Sequence, residues 1–167
     1  MKLAEDYKVV LVASALNYAT GATQVTKSIN MRNFHRCTFL IDVGSLGASN
    51  TALKAYSGAA DAAITSALAF KYAYGGATSI WGSTGILSDV LAAETTVVAA
   101  TGLVIVQATY PNYMLLVEVD ASIMDIANQE EWLTLEFTDA GASTGLASIF
   151  AVLEPRYTGS RSATALA

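Results

Sequence analysis

Several residue types are scarce in this sequence, and each scarcity excludes something. There is one cysteine, Cys37, so no internal disulfide can form and no thiolate cluster exists for a structural zinc. There is one histidine, His35, and with Cys37 it supplies two ligands where such a site needs four. Charged residues make up only 14% of the chain, where an average domain carries roughly 25%. Such a surface has little charge to keep molecules apart, which points to a partner or to self-assembly covering part of it. Long apolar runs are missing too: the 53% hydrophobic content is dispersed, and no stretch approaches the ~20 apolar residues of a bilayer span. The opening MKLAED does not read as a signal peptide. The expectation is a soluble intracellular product that engages neither membrane nor nucleic acid.

Basic residues are absent from one long interval. Between Lys71 and Arg156 there is none, while ten acids fall there. The remainder carries all nine bases and four acids, and the net charge is −5. An acidic chain without clustered Lys and Arg is a poor nucleic-acid binder. The split has two readings. Both halves interleave in one sheet and neutralise each other, or subunits meet basic face to acidic face.

The 167 residues suffice for one domain with a real core. What is abundant is period two, the signature of half-buried strands. KVVLVA (8–13), TQVTKSIN (23–30), FHRCTFLIDV (34–43), TALKAYS (51–57), ALAFKYAY (67–74), LVIVQ (103–107), YMLLVEVD (113–120), EWLTLEF (131–137) and LASIFAVLE (146–154) read as nine strands. With Gly, Asn and Ser between them, they predict an all-β, antiparallel sandwich or barrel of jelly-roll type. Residues 1–155 form the domain. Two regions resist. ASIMDIANQEEW (121–132) suits a helical turn around Ile123–Ala127, capped by Ser122. The stretch 75–102 is long, Gly-rich at both ends and weakly periodic, which reads as a loop. Trp81 lies inside it and is expected to pack on a neighbour or a partner.

No catalytic constellation emerges. No G-x-S-x-G elbow or Walker motif is present. On a strand, His35 and Cys37 would share a face, which is still too little for a metal. Asp120, Asp125 and Glu130 do not follow the calcium-loop pattern and read as solvated turn acids. Glu130 and Glu131 are adjacent, so on a strand they point to opposite sides and cannot act as an acid/base pair. Tyr72, Tyr74, Tyr110 and Tyr113 lack the basic groove of a nucleic-acid stacking platform and read as core and rim packing. The expectation is a protein that is not an enzyme, with no catalytic residues, cofactor or metal.

The segments YATGATQVTKSINMRNFHRCTFLIDVG, LAFKYAY, YMLLVEVDASIMD, EEWLTLEFTDAG and IFAVLEPRY resemble those of tailed-bacteriophage capsid decoration (cement, or head auxiliary) proteins. The resemblance implies a β-rich, often trimeric domain on the capsid exterior, made in the host cytoplasm. Its partners would be the major capsid protein and further copies of itself. The 75–102 segment matches least. A ligand-binding β-sandwich of carbohydrate-binding type, using Trp81 or the tyrosines, is the alternative from another class. A phage tail or neck component would have the same composition, and a hydrolase with an unfamiliar site is a third class.

The tail has two readings as well. Pro155 removes a ladder donor and marks where the sheet releases the chain. Residues 156–167 are then either a frayed end or an extended arm that adds a strand to a neighbour and whose deletion spares the fold. The interface residues expected are Arg32, Arg36, Trp81, Arg156, Tyr157 and Arg161, the Arg and aromatic types that anchor interfaces.

Overall fold

The period-two segments form two antiparallel sheets in the computed structural model, which describes residues 3–18, 21–46, 50–75, 91–106, 113–138, 145–157 and 164–166. Sheet 1 runs in the order β1 (Lys8–Asn17), β12 (Gly145–Pro155), β4 (Phe34–Leu46), β10 (Met114–Asp120), β7 (Phe70–Gly75) and β8 (Thr95–Val97). Sheet 2 runs in the order β2 (Gln24–Val25), β11 (Trp132–Thr138), β5 (Thr51–Gly58) and β6 (Ser66–Leu68). To it are added β3 (Ile29–Asn30), paired with β11, and β9 (Leu103–Ile105), paired with β5. The sheets bury their facing sides against each other. Phe39, Ile41 and Val43 alternate on β4, Leu115, Val117 and Val119 on β10, and Ile149, Ala151 and Leu153 on β12. From sheet 2 come Leu53, Leu133, Leu135 and Phe137, and Tyr18 stacks on Phe137 with ring centroids 5.2 Å apart. Each large side chain so buried contributes about 1.5–3 kcal/mol. This is a β-sandwich.

Among the described residues there are twelve strands rather than nine, for identifiable reasons. The segment 23–30 is two short strands, because side chains take over between them. Thr26 Oγ1 accepts from Leu135 N at 3.2 Å, and Ser28 N donates to Asp61 Oδ1 at 3.2 Å. The segment 67–74 breaks at Ala69, where the chain leaves sheet 2 after β6 and enters sheet 1 as β7. Within the supposed loop 75–102, β8 pairs with β7 through Tyr72 and Thr95, and Leu91 bridges Gly75. Residues 76–90, with Trp81, lie outside the described residues.

Helix among the described residues is limited to Leu3–Asp6 and two 3-10 turns, Ala121–Ile123 and Ile126–Asn128. The expected cap, Ser122, is instead the donor. Asp120 accepts from Ser122 N at 2.8 Å, and Asp125 caps the second turn through Asn128 N at 3.3 Å. A short carboxylate at the residue preceding each turn captures the free N–H groups.

His35 and Cys37 do not share a face. The register with β12 shifts between Glu154↔Arg36 and Pro155↔Phe34. This bulge leaves His35 exposed and Cys37 buried, and burial pushes the Cys37 thiol well above its usual pKa.

The C-terminal residues bear on the arm. Arg156 is held by two bonds, its backbone N to Asn33 O and its Nε to Phe34 O, both 2.9 Å. Further on, Leu166 bridges Ile29 of β3, Asn30 N donates to Ala165 O at 2.7 Å, and Ala165 is buried. Residues 164–166 thus extend a sheet, as a β-forming tail would, but the sheet is the chain's own sheet 2. Deleting 156–167 therefore removes native contacts, and the expectation that the fold is spared is revised.

Candidate assembly interface

Antiparallel register dictates what the outer side of sheet 1 presents. One row of directly paired neighbours runs Leu11, Phe150, Leu40, Leu116 and Ala73, crossing β1, β12, β4, β10 and β7. No polar side chain interrupts it. The adjacent row begins Val9, Val152, and Met114 lies next to Leu116 on the other side. Leu11 is 50% exposed, Val9 49%, Phe150 42% and Met114 40%. With strands about 4.8 Å apart and same-face residues about 7 Å apart, the eight apolar residues cover on the order of 270 Å². A sandwich normally alternates apolar-in and polar-out, and the largest contiguous apolar patch of a protein is often functional.

Charge borders the field along the strand direction. Arg36 of β4 meets Glu118 of β10 at 2.9 Å, and Lys71 of β7 meets Glu94 at 2.7 Å. The ion pair with Glu94 raises the Lys71 pKa. Asp120 is held below the ordinary carboxylate range, first by the Ser122 backbone N–H and then by the Ser122 hydroxyl, with Arg36 adding to the effect. These pairs join the acid-only interval to the basic remainder, as the interleaving reading of the charge split requires.

Of the six expected interface residues, the four among the described residues do not form one site. Arg36 borders the apolar field. Arg32 and Arg156 meet at one end of the sandwich, where they line a cavity of about 470 Å³. Tyr157 is 73% exposed next to Arg156. Trp81 and Arg161 lie outside the described residues. The acids also separate: Asp120 and Asp125 cap turns, whereas Glu130 is buried and accepts from Ser57 Oγ at 2.7 Å. Glu131 points elsewhere, accepting from Asn30 Nδ2 at 3.2 Å. Among the described residues, no three His, Cys, Asp or Glu side chains gather as metal ligands would. Tyr72, Tyr74 and Tyr113 form one cluster, with centroids 6.4 and 5.8 Å apart, and the first two pack on the core. Tyr110 lies outside the described residues.

Leu11, Leu40, Leu116 and Phe150 carry the apolar field, and the expected interface set contained none of them. The signal was available: VLVA, TFLI, MLLV and SIFAVL are unbroken or nearly unbroken apolar runs where a half-exposed strand would alternate. Comparison with known protein families, curated proteins and solved structures finds no match for the chain.

Proposed function

We propose that this chain is a structural assembly protein of the capsid-decoration type, attaching to a viral shell and bridging its subunits. The observation that carries the reading is the open apolar row Leu11–Phe150–Leu40–Leu116 on sheet 1. Left in water such a surface is costly, and shell subunits offer extended surfaces that would cover it. The sandwich gives that surface a rigid backing. A field near 270 Å² is about a third of what one partner buries in a standard interface, so flanking groups such as Arg36 would supply the rest. The major capsid protein is the proposed partner, the capsid exterior the proposed location, and a homotrimer the assembly that the family resemblance implies.

Co-sedimentation with empty shells of the virus carrying the gene tests this, with a glycan panel run alongside. Wild-type protein should pellet with shells and ignore glycans. Phe150→Asp should lose at least about tenfold in binding, equivalent to 1.4 kcal/mol, while melting nearly as the wild type does. Shell binding indifferent to Phe150→Asp would remove the face from the account, and glycan binding would favour the ligand-binding sandwich.

A further inference from the structure

The cavity at the end of the sandwich is built from a charge pair and an apolar floor. Its volume of about 470 Å³ is within the usual range for binding sites. Met31 and Met124 are buried beneath it, and thioether side chains adapt to irregular apolar ligands. At its walls stand Arg32 and Arg156. Arg36 and Lys71 spend their charge on Glu118 and Glu94, but neither Arg32 nor Arg156 forms an ion pair among the described residues. Arg156 is also pre-positioned, since its Nε is fixed on Phe34 O at 2.9 Å. Its two amino groups remain for an external acceptor, and a guanidinium so held loses little entropy on binding a carboxylate.

The lining also holds acceptors. Glu131 lines the cavity and spends one oxygen on Asn30. Gln129 sits beside it with φ of 61°, a left-handed conformation that a residue other than glycine adopts at some cost. A second carboxylate on a ligand would be repelled by Glu131, whereas a backbone N–H would be welcomed there.

We infer that this cavity receives an acidic residue of a partner polypeptide, its carboxylate between Arg32 and Arg156, its backbone N–H at Glu131 or Gln129, and a neighbouring aliphatic side chain on Met31 and Met124. The inference is independent of the sheet 1 face and stands or falls separately from it.

The test is an amide NMR titration of the full chain with three probes: acetyl-Leu-Glu-Leu-amide, its Leu-Gln-Leu counterpart, and glutarate. The acidic peptide should give saturable shifts at Met31 and Gln129, weakened by added salt, with the other two at least about tenfold weaker. Arg32→Ala should weaken the acidic peptide by about tenfold or more. Arg156→Lys, which keeps the charge and loses the planar fork, should weaken it similarly, and Lys54→Ala should change nothing. Equal binding of the Gln peptide overturns the carboxylate assignment. Equal or tighter binding of glutarate overturns the polypeptide assignment, and absence of saturable shifts at the cavity overturns both.

Discussion

The outer sides of the two sheets invert the usual relation between polarity and water. On the central strand β11 of sheet 2 the outward Thr134 and Glu136 are polar yet withdrawn from solvent: Thr134 is fully buried, and Glu136 nearly so. Their polar atoms are paired within the chain, Thr134 Oγ1 with Ser28 Oγ at 2.6 Å and Glu136 with the Tyr56 hydroxyl at 3.4 Å. On sheet 1 the central outward row is apolar yet open, with Leu11 and Phe150 about half exposed. A buried polar group without a partner is costly, so sheet 2 must complete its bonds within the chain. An exposed apolar group imposes no such demand on the isolated fold, and its cost is removed only when another surface covers it. The β11 network of sheet 2 is therefore completed by folding, and under the proposed function the open row of sheet 1 is completed by assembly.

Substitutions should separate these roles, and the largest effect belongs to sheet 2. Ser28 Oγ pairs with Thr134 and accepts from Ala62 N at 2.7 Å, so Ser28→Ala strands two groups. We expect a loss of about 2–3 kcal/mol in denaturant unfolding with shell binding by the folded fraction unchanged. A loss within error would mean that the sheet 2 network does not matter to stability.

Next is the terminal segment that borders sheet 2. Ala165→Asp should cost about 1–2 kcal/mol, because the segment detaches rather than bury a charge. Unchanged stability would show that residues 164–166 do not rest on β3, restoring the free arm.

Tyr18 tests the rule from the opposite sign. Its hydroxyl is buried and has no hydrogen-bond partner among the described residues, so Tyr18→Phe should stabilise by about 1 kcal/mol. Burial also raises its pKa above the ordinary tyrosine value. The folded state then holds a proton that the unfolded state releases, so the Tyr18 contribution to stability is intact below about pH 10 and falls as pH rises beyond it. Tyr18→Phe should lessen that alkaline loss, leaving the part due to Cys37. An unchanged alkaline profile would contradict the assignment.

The smallest effects on stability belong to the open face. Phe150→Ser should shift unfolding by no more than about 1 kcal/mol, and Arg36→Ala by no more than about 0.5 kcal/mol, as for most exposed ion pairs. Larger losses would mean that this face supports the fold itself.

Much of this fold was legible in the sequence, because alternation along a strand is a direct record of burial. Cys37, Phe39, Ile41 and Val43 fall on the core side as their spacing requires. What was not legible depends on pairing between distant segments. The break at Ala69 is a change of sheet, and the bulge at His35 comes from its register with β12. The candidate site was legible only in fragments. Arg32 and Arg156 could be named as anchor types, but their convergence on one cavity requires the packed end of the sandwich. The apolar field needs five strands in register before Leu11 and Leu116 belong to the same surface.

Hydroxyl-radical footprinting of the protein, free and bound to shells, tests most directly whether the outer face of sheet 1 is the contact. The account predicts that oxidation of Met114, Phe150 and Leu116 falls several-fold on binding, while residues on sheet 2 such as Tyr56 are unaffected. Equal oxidation of Met114 and Phe150 in the free and bound protein would contradict it.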